Sequence, residues 1–592
     1  MQQDGLHQLV ERVRQGSLSR RDVMARLAAL GLGPAVSSVL LPARAMAQTE
    51  PVYRPTRRGG GGLLRVLMWQ GPTLLNPHFA VGTKDADGAR VFYEPLARWD
   101  NDGELRPVLA AEVPSLGNGG VARDGRSVTW RLKPGVKWHD GQPFTADDVL
   151  FNAAYASDPA TAATTSGSWR HLKLVKVDSL TVRVEYPEPS PFWATPYCIG
   201  SLIPRHVFAP FSGAASREAP ANNRPVGTGP YRIAEFKPGD LLTGTLNPDY
   251  HAANRPHFDR IEIKGGGDAV SAARAVLQTG EFDFGWTLQV EDDLLKRLET
   301  GGKGQVHFAA GGTMEFIQLN FSDPDTEVDG ERSHPDTRHP LLRDPAVRQA
   351  LALCVDRAGI QAHIYGRTAV STANIVHNPA RFRSPNLKPE FNPDKAAAVL
   401  EAAGWKKAGD GVRQKDGRRL KLLFQTSVNG ARQKAQTVIK SACQRAGIDL
   451  ELKAVTSAVF FSGDAGNPDT LSRFQADMQM FSSTMGPPDP GRFMDRCASW
   501  EVARKANKWQ GRNAMRWRSD EYDRLYQAAA AELDPARRAT LFIRMNDLVC
   551  GDGYLIPLMF RYAVSATANR LVAPTSGWDN GMSVLADWHR LG

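Results

Sequence analysis

The sequence predicts an α/β fold, and three features of the chain support that prediction. In residues 127–132 every second side chain is apolar, which is the period-2 pattern of a half-buried strand. In residues 347–354 apolar side chains recur at i, i+3, i+4 and i+7, which predicts a helix with one buried face. Short strands and capped helices of these kinds alternate along the chain, without internal repeats or low-complexity tracts.

The predicted helix ends carry capping residues. Asp344, Asn392 and Asp534 each precede a proline, so each is expected to cap a helix whose first residue is that proline. Gly404 and Gly447 stand where helices are expected to end, because glycine tolerates the left-handed conformation of a C-terminal cap.

The composition is that of a globular protein large enough for two or more domains. Hydrophobic residues make up 42% and charged residues 23% of the 592 residues, which excludes disorder, collagen and coiled coil as overall descriptions. The formal charge of +10 is spread thinly, with no run of five basic residues, so a solvated surface is expected. No nucleic-acid-binding motif is present, and no nucleic-acid partner is expected.

The N-terminus has the three-part layout of an export signal. Arg20-Arg21 precede a mildly apolar run over residues 27–43, and Ala45-Met46-Ala47 provide the small residues of a cleavage site. The paired arginines resemble the twin-arginine type, so residues 1–47 are expected to be a signal peptide cleaved after Ala47. The apolar run is short and broken by two glycines and a proline, so no stable membrane insertion is expected. Residues 48–62 read as a flexible leader.

The stretch VKWHDGQPFTADDV, residues 136–149, concentrates a histidine and three carboxylates. Thr145 and Asp148 fit a capping box before a helix, and Asp147 suits the positive end of the helix dipole. His139 has no second histidine at metal-ligand spacing. The stretch is therefore predicted to be scaffold, and its first residues are expected to form a β-hairpin with the strand at 127–132.

The sequence predicts neither a metal site nor an enzyme. The motifs HExxH, GxSxG and the P-loop GxxxxGK[ST] are absent, and no cofactor is expected. The five cysteines contain no CxxC pair, which excludes a zinc knuckle. Whether Cys497 and Cys550 pair in an oxidising compartment is left open by their spacing.

Four segments resemble one family in sequence and in order. They are WRLKPGVKWHDGQPFTADDVLFN at 130–152, VGTGPY at 226–231, HPLLRDPAVRQA running on to VDR at 339–357, and FNPDKA running on to AGW at 391–405. They are similar to the signatures of the family 5 extracytoplasmic solute-binding proteins, the peptide- and nickel-type receptors of ABC transporters. The resemblance spans about residues 63–590.

The resemblance implies a two-lobed periplasmic-binding-protein type II fold with an extra subdomain in the first lobe. The two hinges are expected near Gly312–Phe316 and Pro557–Phe560. The implied parts are lobe I at 63–312 with its subdomain at about 90–205, lobe II at 316–556, and a return to lobe I at 560–592.

The resemblance also implies a function. The chain is expected to be a monomeric periplasmic receptor that captures an oligopeptide or peptide-like solute and delivers it to the permease subunits of an ABC importer. An opine, another amino-acid conjugate or a metal chelate is the alternative cargo, and an exported hydrolase is the least favoured function.

The ligand site is expected in the cleft between the lobes. Peptide receptors of the family carry an aspartate three residues before the aspartate of a DP-x-x-F motif, which binds the peptide's ammonium. Here that motif begins at Asp489, itself expected to form a turn, and the earlier position is Gly486. The candidate ligand contacts are Met68, Trp69, Gln70, Glu94, His377, Ser482, Ser483, Thr484, Met485, Gly486 and Trp578.

Overall fold

A computed structural model describes most of the chain. The described residues are 53–80, 83–169, 172–191, 193–194, 201–461, 466–507, 509, 511–579 and 581–591. The predicted signal peptide lies outside them. Residues 57–592 gather into one compact unit.

The strands are short except for two. In chain order they are β1 (Leu63–Met68), β2 (Ala97–Trp99), β3 (Leu105–Pro107), β4 (Ser127–Arg131), β5 (Lys173–Asp178), β6 (Thr181–Glu185), β7 (Tyr231–Lys237), β8 (Leu241–Leu246), β9 (Arg260–Gly265), β10 (Phe284–Gly285), β11 (Gly304–Leu319), β12 (Glu327–Val328), β13 (Glu331–Arg332), β14 (Ala369–Ser371), β15 (Lys406–Lys407), β16 (Arg413–Lys415), β17 (Arg418–Arg419), β18 (Lys421–Ser427), β19 (Asp449–Val455), β20 (Met478–Thr484), β21 (Leu555–Ala568), β22 (Leu571–Val572) and β23 (His589–Arg590).

The α-helices alternate with these strands, as the sequence predicts. They are α1 (Thr83–Arg90), α2 (Ala146–Ser157), α3 (Ser166–Trp169), α4 (Arg205–Phe208), α5 (Ala269–Leu277), α6 (Asp292–Glu299), α7 (Pro345–Leu353), α8 (Arg357–Ile360), α9 (Pro393–Ala402), α10 (Gly430–Ala446), α11 (Ser457–Phe460), α12 (Gly491–Met494), α13 (Asp520–Ala531) and α14 (Pro535–Gly551).

A sheet of eleven strands forms the centre of the fold. Its order is β19-β18-β20-β11-β21-β10-β1-β9-β8-β7, with β14 paired to β21 beside this path. The long strands β11 and β21 are antiparallel neighbours in the middle. Parallel pairs lie on either side of them, β18 with β19 and β20 on one and β1 with β9 and β10 on the other. The two long strands contain both predicted hinges, Gly312–Phe316 and Pro557–Phe560.

A smaller three-stranded sheet, in the order β4-β6-β5, packs beside α2. It corrects the predicted hairpin, because β4 pairs with β6, which lies some fifty residues along the chain, and Trp130 stands opposite Val182. Residues 136–138 contribute only an isolated bridge from Lys137 to Pro143. Alternation predicts a strand correctly but does not identify its partner.

The predicted helix caps are confirmed. Asp344 accepts the amide of residue 346 at 2.9 Å, Asn392 that of residue 395 at 2.8 Å, and Asp534 that of residue 537 at 2.8 Å. Gly404 and Gly447 have φ of +88° and +87°, the left-handed conformation expected at a helix end.

The apolar side chains gather into separate cores. One surrounds β1 and the three-stranded sheet and includes Trp130 and Trp138. A second includes the predicted stripe of α7, with Cys354 fully buried. A third lies where β11, β20 and β21 meet and includes Phe481 and Trp578. The described cysteines, at 354, 443, 497 and 550, are free thiols.

The last residues of the predicted leader are held against the fold. Asp259 accepts the amides of Gly60 and Gly62, each at 2.8 Å. The guanidinium of Arg58 donates to main-chain carbonyls, including that of Tyr250 at 2.6 Å. Residues 58–62 therefore lead directly into β1.

Candidate functional site

The candidate site lies where the ladder between β11 and β21 is interrupted. The register shifts over residues 309–313, so the middle of this segment bulges out of β11. Gly311 forms a parallel bridge with Gly577, and the amide of Met485 donates to the carbonyl of Gly312 at 3.0 Å. Three separate segments of the chain therefore meet at one bulge.

Glycine is required at three positions of this meeting point. A Cβ on Gly311 would lie 2.2 Å from the carbonyl oxygen of Gly577, and a Cβ on Gly577 would lie 2.3 Å from the backbone of residue 310. A Cβ on Gly312 would lie 2.8 Å from Cζ3 of Trp578. Since Cβ atoms are not found so close to backbone or ring atoms, only glycine lets the segments approach.

A narrow recess, without room for a water molecule, lies beside the bulge. Its walls are mainly apolar and include Met485, Phe493 and Phe560, with His377 and Asn378 as polar members. An apolar recess with few polar groups is typical of the place where a binding protein holds part of its ligand.

The ring of His377 is held in this wall by stacking and by polar contacts at both of its nitrogens. The ring stacks on Phe560 with centroids 4.8 Å apart and planes at 19°. Nδ1 lies 3.0 Å from the hydroxyl of Thr372, and Arg383 donates to Nε2 at 3.4 Å. Burial, with the nearby charge of Arg383, lowers the pKa of His377 to about 4, so the imidazole is neutral at pH 7.

Trp578 packs in the third core with 4% of its surface exposed. Its indole Nε1 is buried and has no hydrogen-bond partner among the described residues. The same holds for Nε1 of Trp99, at the end of β2, whose ring packs against the same core. Buried indole N–H groups normally find an acceptor, so two donors at this site are unsatisfied.

The tip of the β2–β3 hairpin, residues 100–104, lies beside Pro379, Arg381 and Pro488. A Cβ on Gly103 would be 2.7 Å from Cβ of Pro488, and Glu104 forms an ion pair with Arg381 at 3.2 Å. This tip therefore closes over the loop that follows β20.

In that loop, Gly486 is exposed, and a Cβ placed on it would have no heavy atom within 4 Å. Asp489 accepts the amide of Gly491 at 2.9 Å, which is the turn predicted for it. Both of its carboxylate oxygens also accept from the largely buried guanidinium of Arg538. The negative charge of Asp489 is therefore neutralised inside the protein.

The predicted contacts at the end of β20 are engaged by neighbouring side chains. The hydroxyl of Ser482 accepts from Arg432 at 2.8 Å, and that of Ser483 accepts from Arg496 at 2.9 Å. Thr484 is exposed, and its hydroxyl lies 2.9 Å from the hydroxyl of its cross-strand partner on β11. The two serines face opposite sides of the sheet, so only one of them can share a face with Met485.

The predicted contacts after β1 lie on another part of the sheet. Met68 is fully buried and Gln70 is exposed. The indole of Trp69 donates to the carbonyl of Thr287 at 3.0 Å, and its ring centroid is 6.3 Å from that of Trp286. Trp69 is thereby held at the carboxyl end of β1.

The segment that follows Gly577 links this tryptophan pair to the bulge. Asp87 accepts from Nε1 of Trp286 at 2.7 Å and from the amide of Met582 at 3.0 Å. Arg90 forms a buried ion pair with Asp579 at 2.6 Å. Burial, with the nearby charge of Asp579, raises the pKa of Asp87 to about 6.

Glu94, another predicted contact, is buried within the protein. Its carboxylate oxygens accept from Thr228 at 2.9 Å and Tyr250 at 2.8 Å, and lie 2.9 Å from Nε2 of His251. Burial favours the neutral acid, but the charge of His251 and these hydrogen bonds lower the pKa of Glu94. Its role as a ligand contact stays a prediction.

The structure thus brings His377, Met485, Gly486 and Trp578 to one place and leaves the contacts after β1 and Glu94 apart from it. The prediction did not include Trp99 or the hairpin tip. The turn dipeptide Asp-Gly at 102–103 was the signal for that hairpin. Nothing in a single sequence indicates that the tip reaches Pro488.

Two further features of the described residues bear on chemistry. Among them, no three side chains of His, Cys, Asp or Glu converge as metal ligands. None of the helices in the described part of the chain combines the length and apolarity needed to cross a membrane.

Comparison with solved structures identifies the fold. The oligopeptide-binding protein AppA from Bacillus subtilis, in complex with a nonapeptide, superposes with a TM-score of 0.65 at 22% identity, covering 91% of this chain and 100% of that one. NikZ from Campylobacter jejuni, in complex with Ni(L-His), gives 0.67 at 21% identity, covering 89% and 99%. These similarities confirm the predicted periplasmic-binding-protein type II fold.

Sequence comparison agrees. The oligopeptide-binding protein AppA of Bacillus subtilis is 26% identical over 395 residues, which are 65% of this chain and 67% of the relative. These relatives are binding proteins. The family model for bacterial extracellular solute-binding proteins, family 5 (middle region), matches residues 104–503, more than half of the 592-residue chain. The chain therefore belongs to the family 5 extracellular solute-binding proteins, as its four sequence segments predict.

Proposed function

We propose that this chain is the periplasmic receptor of an ABC importer, which captures an oligopeptide or peptide-like solute between two lobes and delivers it to the membrane permease. The observation that carries the proposal is the position of the candidate site. It lies at the interruption between β11 and β21, where a change in the relative orientation of the two halves of the sheet would open or close it. Relatives named as oligopeptide-binding proteins support a peptide as the cargo.

In this proposal the lobes have the limits predicted from the sequence, with lobe II inserted between the two parts of lobe I. The second interruption of the ladder, between Glu315 and Phe316, falls within one predicted hinge. The free-energy cost of closing the lobes around a ligand would be offset by contacts made from both sides, such as the ion pair between Glu104 and Arg381.

The first contacts that we assign to the ligand are His377, Met485, Gly486 and Trp578. The first two line the recess, Gly486 follows Met485 in the loop, and the ring of Trp578 lies against Gly312. Thr484 is the next, since its side chain is exposed at the same strand end. The remaining predicted contacts are Met68, Trp69, Gln70, Glu94, Ser482 and Ser483.

A second cargo class is favoured by Gly486. Without a carboxylate at this position, a buried peptide ammonium would cost several kcal/mol, on the order of the desolvation of an unpaired charge. An opine or another amino-acid conjugate avoids that cost. The NikZ complex with Ni(L-His) supports a metal chelate as a cargo within the same fold. An exported hydrolase has no comparable support.

The proposal is tested by native mass spectrometry of the protein purified from its own periplasm. A small adduct that leaves on mild unfolding is expected, and calorimetry with synthetic peptides should then show binding without turnover. N-terminal sequencing of the same sample should begin at Gln48 if the signal is cleaved after Ala47. Turnover of peptide or ester mixtures, without binding of an unchanged ligand, would overturn the receptor and favour the hydrolase.

A matched pair of variants locates the site. Thr484→Trp puts a bulky uncharged side chain at an exposed position of the strand end, and should abolish ligand binding without changing the melting temperature. Thr437→Trp makes the same change on the exposed face of α10 and should leave binding intact. Equal binding by both variants would show that the ligand lies elsewhere.

A further inference from the structure

Two of the carboxylates described beside the loop at Gly486 are not available to a cationic ligand group. Of the acidic groups described beside this loop, Asp489 is paired with Arg538 and Glu104 with Arg381. Both acids already face a guanidinium, so neither is free to hold an ammonium.

The guanidinium groups near this end are not all engaged by carboxylates of the described residues. Arg381 donates to the carbonyl of Pro488 at 3.3 Å, and its charge, together with burial, lowers the pKa of Arg538. Arg383 donates to the neutral ring of His377 and has no ion pair within the described part of the chain. Of these three guanidinium groups, only that of Arg383 lacks an ion pair among the described residues.

The uncharged polar groups near this end also favour a ligand group that accepts hydrogen bonds. The buried indole N–H of Trp578 has no acceptor among the described residues, and neither has that of Trp99. An indole can only donate a hydrogen bond. A ligand that satisfies these groups must therefore offer acceptors.

We propose that the Gly486 end of the cleft is a subsite for the carboxylate of the ligand, in which Arg383 supplies the charge and Trp578 a buried donor. The inference rests on the proposed receptor function. In the family's peptide receptors an aspartate at this end binds the ligand's ammonium, whereas here a guanidinium would bind the ligand's carboxylate. Ligands with a blocked or absent amino group and a free carboxylate fit this subsite. N-acylated amino acids and acidic peptide derivatives belong to that class.

The test compares ligands that differ only in their amino-terminal or carboxyl-terminal group. Full-length protein is titrated by calorimetry with trialanine in free, N-acetylated and C-amidated forms, and with N-acetylleucine and its amide. Amidation of the carboxylate is expected to weaken binding by about tenfold or more, the loss expected for a charge-assisted hydrogen bond. N-acetylation is expected to change affinity by less than about twofold, since no carboxylate partner is lost. A large loss on N-acetylation, or none on amidation, would overturn the subsite while leaving the peptide receptor in place.

The same panel separates failure of the subsite from failure of the proposed function. If no form of trialanine binds but N-acetylleucine binds and its amide does not, the carboxylate subsite stands and the peptide cargo is wrong. If neither peptides nor the acylated amino acid bind, both are overturned.

Two variants assign the effect to these residues. Arg383→Gln removes an exposed charge and should weaken the carboxylate forms about tenfold while leaving the amides unchanged. Arg297→Gln makes the same change at an exposed position of α6 and should alter neither. Gly486→Asp, for which the structure has room, should weaken the carboxylate forms and create affinity for the free ammonium of C-amidated trialanine. Unchanged end-group preference in both Arg383→Gln and Gly486→Asp would refute the assignment.

Discussion

Two glycine- and proline-containing stretches, residues 136–149 and residues 485–490, differ in how their polar groups are satisfied. In the first, His139 accepts the amide of Gly227 at 3.1 Å and lies 3.1 Å from the carbonyl of Gly229. Asp148 accepts the amides of Thr145 and Arg205, each at 2.9 Å.

In the second stretch the loop presents a bare glycine, and among the described residues around it two indole donors have no acceptor and the guanidinium of Arg383 has no ion pair. The contrast teaches that a dense cluster of titratable residues can be entirely structural. Unsatisfied groups around a chemically plain loop are the better indicator of a ligand.

The largest expected effect comes from Gly577→Ala. The new Cβ would collide with backbone atoms of residue 310, so the segment that carries Trp578 should separate from the bulge. We expect a loss of about 3 kcal/mol in the free energy of unfolding and loss of ligand binding, measured by chemical denaturation and calorimetry.

Gly430→Ala is the matched control, because a Cβ there meets no heavy atom within 4 Å and the residue has an ordinary helical position. It should leave binding unchanged and raise the free energy of unfolding by about 1 kcal/mol or less, because alanine restricts the unfolded chain. If Gly577→Ala behaved like this control, the bulge would not be the centre of the site.

A pH titration tests the structural role of His139. Burial lowers its pKa to about 4, so the fold holds the neutral ring while the unfolded chain takes up a proton near pH 6.5. Stability due to this group is therefore present above pH 6.5 and is lost as the pH falls towards 4, by up to about 3 kcal/mol. The advantage of the wild type over His139→Gln in urea unfolding should shrink between pH 7 and pH 4. A constant difference would contradict the buried neutral ring.

A smaller effect is expected from Asp148→Ala. Loss of this carboxylate leaves two amides and, at 3.4 Å, the indole of Trp138 without their acceptor, which should cost about 2 kcal/mol of stability. Asp147→Ala is the adjacent control. It removes an exposed ion pair with Lys176 and a favourable interaction with the helix dipole, together worth about 1 kcal/mol or less. Ligand binding should survive both changes, and its loss in either would mean that the stretch takes part in recognition.

Local chemistry explains which parts of the fold could be predicted. The caps at Asp344, Asn392 and Asp534 and the buried stripe of α7 depend on residues a few positions apart, and each is confirmed. The partner of β4 could not be predicted, because pairing with β6 depends on packing between segments that are distant in the chain.

The site likewise has parts that depend on neighbouring residues and parts that depend on distant segments of the chain. The loop at Gly486 was indicated by one short motif, whereas the convergence of Trp578, His377 and the hairpin tip depends on three loops from different parts of the chain. The sequence of helix α1 does not indicate that Asp87 and Arg90 are buried, because their contacts are with Met582 and Asp579, which are distant in the chain.

The C-terminal residues pack beside the first strand of the central sheet. Arg590 donates to the carbonyls of Gly61 and Leu63 at 2.8 and 2.9 Å, and the ring of Trp588 lies 4.5 Å from that of Phe284. A nascent chain that has not yet produced β21 leaves β10 as an open sheet edge, which is a site for aggregation or for a chaperone. Folding of this half of the protein can therefore be completed only after the ribosome has synthesised β21.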